Sequence, residues 1–162
     1  MAGALDRLAR LLAGAAAVFL CAMMMVTVAD VVLRSLFGYP IFGTFDLVEL
    51  FLVTLIFLGL PETFRREEHV VVDLVDHLAP ARVLALLRVL AVLLAVVLLA
   101  LMLWHGVGPA RDTYVFGDRT LDLGLSRTLH WLPILLGSAV ATLVLLVMLA
   151  RSLRALRNAR QP

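Results

Sequence analysis

Four long apolar segments set the strongest constraint on what this chain can fold into. A helix crosses the roughly 30 Å hydrocarbon core of a bilayer in about 20 residues. The composition agrees, because 63% of the 162 residues are hydrophobic and 16% are charged, against about 45–50% and about 25% in soluble domains. The sequence therefore predicts an all-α integral membrane protein, a single four-helix transmembrane domain over residues 1–162. The predicted spans are about 11–33, 45–64, 83–104 and 129–150.

The arginines predict how the spans are oriented. With four spans, both termini and the middle connection share one side, and that side carries ten of the 14 arginines. Because basic residues are concentrated in cytoplasmic segments, we expect both termini to be cytoplasmic. The segment 105–127 then faces outside, and its glycines and Pro109 are expected to end the third helix. The arginines flank apolar segments instead of forming one patch, so we expect no nucleic-acid partner.

The first span is predicted to stay in the mature chain. Arg7 and Arg10 precede it, as in a signal peptide, but the apolar run 11–33 is longer than the 7–15 residues of an ordinary signal. The single cysteine, Cys21, lies inside this run and has no internal disulfide partner.

A charged segment separates the second and third spans. On a helix, His69, Asp73, Asp76 and His77 fall on one face, and apolar residues fill the remainder. Such a helix is too short to cross a bilayer, so we predict an amphipathic helix at the membrane interface over about 69–78. A metal site on the same four residues is the alternative, because His and Asp one turn apart can share a cation.

The connection between spans one and two brings three charged residues close together. Arg34 ends the first span, the turn signal FGYP follows at 37–40, and Asp46 and Glu49 begin the second span. Free amides and the helix dipole favour Asp46 in a first turn. Glu49 lies deeper, where a lipid-facing charge is costly, so we expect it to face protein with Arg34 as its partner. Two interpretations remain: a structural ion pair that holds the hairpin, or a proton or ion relay.

Two histidines lie at predicted span ends. Paired histidines in a membrane bundle can ligate haem, so His105 and His130 are candidate axial ligands. Their neighbours Trp104 and Trp131, with Tyr114, are also typical of an interfacial aromatic belt. We therefore expect interface residues here and keep haem as an alternative.

Small residues recur at four-residue spacing in two spans and predict close helix packing. The stripes are Ala13, Ala17 and Cys21 in the first span, and Gly137 and Ala141 in the fourth.

The order of these motifs resembles the small membrane subunit, the Q-type or DctQ-like component, of tripartite ATP-independent periplasmic (TRAP) transporters. In that family an arginine ends span one, a turn with glycine and proline follows, and a glutamate opens span two. A histidine then precedes V-D-L, and a tryptophan followed by L-P opens the last span. The stretch RREEH at 65–69 is more acidic than the corresponding run in the family. The matching residues are Arg34, Gly38, Pro40, Glu49, His69, Val72, Asp73, Leu74, Trp131, Leu132 and Pro133.

The resemblance implies a scaffold subunit of the bacterial inner membrane, without enzymatic activity, catalytic residues, cofactor or metal. Its partners would be a large membrane subunit that moves substrate and sodium by an elevator motion, a periplasmic substrate-binding protein, and the lipid bilayer. The complex would take up an organic acid by sodium symport. The alternatives are a redox-enzyme anchor with haem on His105 and His130, and a small homo-oligomeric exporter with Glu49 as proton site. We expect structural or assembly roles for Arg34, Asp46, Glu49, His69, Asp73, Trp131 and Pro133.

Overall fold

A computed structural model describes residues 2–66 and 81–158, and four long helices account for most of these residues. Each helix is long and apolar enough to cross a membrane, which confirms the predicted all-helical protein with four spans. The predicted interfacial helix over 69–78, with His69 and Asp73, lies outside the described residues. The helices are α1 (Ala2–Phe37), α2 (Thr44–Arg66), α3 (Ala81–Phe116) and α4 (Thr128–Asn158).

Helix α3 continues well beyond the predicted end of the third span. The expectation that glycines and Pro109 end the helix after His105 is wrong, because α3 passes through this stretch to Phe116. A proline removes only one amide from the helical ladder, and neighbouring helices can compensate for it within a membrane. Here Gly106 packs against Leu135 and Trp131 of α4, which holds the stretch in place as a helix.

The four helices pack as a row. Helix α1 packs against α2, α2 packs against α4, and α4 packs against α3, while α1 touches α4 only lightly. The spatial order is therefore α1–α2–α4–α3, with α1 and α3 at the two ends. Both end helices expose many large apolar side chains, as expected for surfaces that face lipid or a partner within the membrane.

The inner helices approach each other closely at Gly137. A Cβ atom built on Gly137 of α4 would overlap the backbone carbonyl of Phe57 in α2. Ala141, one turn further along α4, is fully buried between Val92, Leu99 and Leu145. The predicted small-residue stripe in the fourth span is therefore a packing face, as such stripes are in lipid.

The predicted stripe in the first span is wrong in its register. Ala17 and Cys21 are exposed, whereas Ala9 and Ala16 are buried. Ala16 faces Gly59 of α2, where a Cβ atom on the glycine would lie 3.9 Å away. The spacing of seven residues keeps the buried alanines on one face of a helix, which alanine content alone does not reveal.

Candidate assembly site at the loop end

The connections α1–α2 (residues 38–43) and α3–α4 (residues 117–127) lie together at one end of the row, which we call the loop end. Helix α1 stops there because Gly38 takes a φ of 72°, and its amide donates to the carbonyl of Arg34 at 3.1 Å. A glycine in the left-handed region after the last turn is a common way to end a helix.

Asp30 closes the turn between α1 and α2. Its Oδ1 accepts hydrogen bonds from the backbone amide of Ile41 at 2.7 Å and from the Thr44 hydroxyl at 3.3 Å. Its Oδ2 accepts from the Arg34 guanidinium at 2.6 Å. Asp30 is only 5% exposed, so the carboxylate satisfies backbone and side-chain donors that would otherwise lack partners at this depth.

Asp46 links the start of α2 to the α3–α4 connection. Its Oδ2 accepts from the backbone amides of Leu123 at 2.7 Å and Asp122 at 3.1 Å, and Asp46 is 3% exposed. The sequence suggested that this carboxylate would face the amides of its own first turn. It instead holds a turn 76 and 77 residues further along the chain. A carboxylate that accepts from backbone amides forms hydrogen bonds stronger than those between neutral groups.

Gly43 allows the two connections to touch. A Cβ atom on Gly43 would overlap the side chain of Leu123, and Gly43 also has a φ of 79°. Both observations exclude a larger residue without rearrangement, since a side chain is disfavoured at this φ and has no space. The Leu123 side chain thus covers the turn that precedes α2, next to the bond from its amide to Asp46.

The α3–α4 connection has its own internal structure. The Thr120 amide donates to the Leu125 carbonyl at 2.8 Å, and the Leu125 amide donates back to the Thr120 hydroxyl at 3.0 Å. The Arg127 amide donates to the Asp118 carbonyl at 2.9 Å. Asp46 therefore binds a turn that also has hydrogen bonds of its own.

The start of α4 places Trp131 and His130 in different surroundings. Trp131 Nε1 donates to the Thr113 hydroxyl of α3 at 3.2 Å, and that hydroxyl donates in turn to the Pro109 carbonyl at 2.7 Å. Trp131 therefore joins α3 to α4, while Trp104 is 79% exposed.

His130 is 9% exposed and both of its ring nitrogens lack a hydrogen-bond partner among the described residues. Pro133 lies inside α4, one turn beyond.

The predicted pairing of Glu49 with Arg34 is wrong. Arg34 bonds to Asp30, one turn earlier on the same helix, where the two side chains meet without crossing to α2. Glu49 is half-buried and forms no ion pair with another described residue. Side chains four residues apart on a helix are neighbours, which explains why Arg34 pairs with Asp30 and not with Glu49 across the turn.

The two histidines considered as haem ligands also differ. His105 is exposed, and its Nδ1 lies 3.0 Å from the Leu101 carbonyl of its own helix. His130 is buried at the start of α4. Residues 2–66 and 81–158 contain no group of three or more histidine, cysteine or carboxylate side chains placed to hold a metal.

Sequence reasoning missed Asp30 as the centre of the first turn. It also missed Gly43, Thr113 and Leu123. Asp30 had a usable signal, because a carboxylate near the end of an apolar span needs partners. Leu123 had none, since nothing local indicates that its amide meets Asp46.

The fold and this site define a multi-pass helical membrane protein whose buried carboxylates hold helix connections together. Among known families, the model described as "Tripartite ATP-independent periplasmic transporters, DctQ component" matches residues 23–155. The match covers most of the chain, so the chain belongs to this family, and the resemblance seen in its motifs is confirmed. It is a small-subunit component of a TRAP transporter. Searches of curated proteins and of solved structures returned no match.

Proposed function

We propose that the chain is a scaffold that docks along the large membrane subunit of its transporter through an exposed face of the helix row. The row order α1–α2–α4–α3 supports docking, because it leaves apolar faces exposed on both end helices. A row presents more lateral surface than a closed bundle of the same four helices. Such a surface suits a subunit that extends a partner within the bilayer.

Membership of the DctQ family also supports proposals for the transported substrate, the membrane and the orientation of the chain. The complex would carry an organic acid, delivered by a periplasmic binding protein, together with sodium ions. The chain would lie in the bacterial inner membrane as one domain, with both termini cytoplasmic and the loop end periplasmic. The segment 69–78, including His69 and Asp73, would be the interfacial helix on the cytoplasmic side.

The orientation is tested by placing a single cysteine at Leu121 or at Arg154 and labelling it with a membrane-impermeant reagent. Only the cysteine at position 121 should react in intact cells.

Glu49 is proposed to meet the large subunit. It is half-buried near the start of α2 without an ion-pair partner among the described residues, and an unpaired charge at this depth is costly in lipid. We expect Glu49→Ala to reduce copurification with the large subunit more than it changes ion dependence. Intact assembly with lost ion coupling would contradict this assignment and favour a relay.

Docking is tested by copurification with the large subunit and by transport in cells that lack this chain. Val28 and Leu98 are exposed on α1 and α3 respectively, and tryptophan at either position enlarges one end face. Loss of copurification with one variant only would identify the docking face, whereas retention in both would argue against docking through these faces. Transport by this chain alone in liposomes, or proton-coupled flux, would overturn the scaffold proposal and support the exporter alternative.

A further inference from the structure

A small cavity lies at the end of the row opposite the loop end, where α1 begins and α2 and α4 end. Its volume is about 30 Å³, room for about two water molecules. Four apolar side chains form part of its lining, from Leu5, Val144, Val147 and Met148. The charged part of the lining consists of Asp6, Arg65 and Arg151.

The two arginines of the cavity are held differently. Arg65 donates to both oxygens of the buried Glu62 carboxylate, from Nε and from one terminal nitrogen, each at 2.6 Å. Arg66 donates to the same carboxylate at 2.6 Å. Arg65 is therefore oriented by its own helix. Arg151 is exposed and forms no ion pair within the described residues.

The surroundings of the cavity are strongly basic. Among the side chains that the structure describes at this end, six arginines outnumber the two carboxylates, Asp6 and Glu62, by four. Basic clusters beside membrane spans attract anionic lipids, and basic pockets between spans bind phosphate headgroups. The arginines are Arg7, Arg10, Arg65, Arg66, Arg151 and Arg154.

We infer that this cavity is a binding site for the phosphate of an anionic phospholipid. Arg151 is its principal ligand, because guanidinium and phosphate form charge-assisted, often bidentate hydrogen bonds. Arg65, fixed by Glu62, is the second arginine of the lining, and Asp6 is its one carboxylate. The volume has room for phosphate oxygens rather than for a whole lipid, and the apolar lining contacts the glycerol and the first carbons of the acyl chains. Inorganic phosphate is also negatively charged, but it has no apolar part that could contact this apolar lining.

The test is native mass spectrometry of the full chain purified in detergent and titrated with phosphatidylglycerol. Phosphatidylcholine with the same acyl chains is the neutral comparison, and inorganic phosphate is the competitor. We expect tighter binding of phosphatidylglycerol than of phosphatidylcholine, without displacement by phosphate. Arg151→Gln should weaken phosphatidylglycerol binding about fivefold, the order of one basic residue near an anionic headgroup.

Arg154→Gln is the matched control, since it removes the same charge from the same helix end but does not line the cavity. It should leave binding within about twofold of the unmodified chain. Val147→Phe fills the cavity without changing charge and should also weaken binding. Equal losses in the two arginine variants, equal binding of the two lipids, or displacement by inorganic phosphate would each overturn the proposed lipid site.

Discussion

The carboxylate of Asp46 accepts a hydrogen bond from the backbone amide of Leu123 at 2.7 Å, across 77 residues of sequence. With the bond from Asp122, it attaches the α3–α4 connection to the first turn of α2. Because α2 also packs against α1 and α4, one buried side chain ties the α3–α4 connection to an inner helix of the row.

Replacing Asp46 should destabilise the protein in proportion to the acceptors that are lost. Asp46→Ala removes the buried acceptor of two backbone amides, and we expect the free energy of unfolding to fall by about 1–3 kcal/mol. Asp46→Asn keeps one acceptor oxygen and should lose less. Unfolding in a denaturing-detergent titration, followed by tryptophan fluorescence, measures the difference. Asp122→Ala removes an exposed carboxylate from the same turn but keeps the amide, and an effect as large as that of Asp46→Ala would contradict this assignment.

Replacing Asp30 should lower the free energy of unfolding more than replacing Arg34, with which it forms an ion pair. Asp30→Ala removes the buried carboxylate that accepts from the Ile41 amide, with an expected cost of about 1–3 kcal/mol. Arg34→Gln removes an ion pair whose arginine side chain is 63% exposed, and such pairs contribute about 0–1 kcal/mol. Parallel titrations of the two variants compare these losses. Equal losses would mean that the ion pair, and not the turn, is the main role of Asp30.

The crossing of α2 and α4 should not tolerate one added methyl group. Gly137→Ala places a Cβ atom against the Phe57 carbonyl, so the helices must separate, at a cost of about 1–3 kcal/mol. Gly14→Ala is the matched control in α1, where a Cβ atom meets nothing within 4 Å. We expect its stability to stay the same or to rise by up to about 1 kcal/mol, because alanine is a better helix former than glycine. Similar unfolding curves for both variants would argue against the close approach.

The Trp131–Thr113 hydrogen bond can be followed directly by fluorescence. In a Trp104→Phe background Trp131 is the only tryptophan, and Thr113→Val should shift its emission to shorter wavelength because the indole N–H loses its acceptor. The stability cost should be about 1 kcal/mol. In a Trp131→Phe background the same change should leave the exposed Trp104 unaffected. A shift of Trp104 emission would indicate a general disturbance of α3.

Individual residues show which features of the structure can be predicted from the sequence and which cannot. The spans, the buried Ala141 and the family were predicted, because apolar length, small-residue spacing and motif order are visible in a single sequence. The end of the third helix was misjudged, because Gly106 and Pro109 are helix-breaking signals only where no neighbouring helix supports them. Arg34 was assigned to Glu49 because both charges flank one turn, whereas Asp30, one turn away on the same helix, lies closer.

By itself, the sequence determined that this is a four-span helical membrane protein of the DctQ family. Partition of a helix into lipid depends on the apolar content of that one segment, which is a local property. Only the tertiary structure decided that the helices form the row α1–α2–α4–α3 and that Asp46 holds the turn at Leu123. Those choices depend on which apolar faces fit one another and which buried donors need an acceptor, and both are settled between residues far apart in the chain.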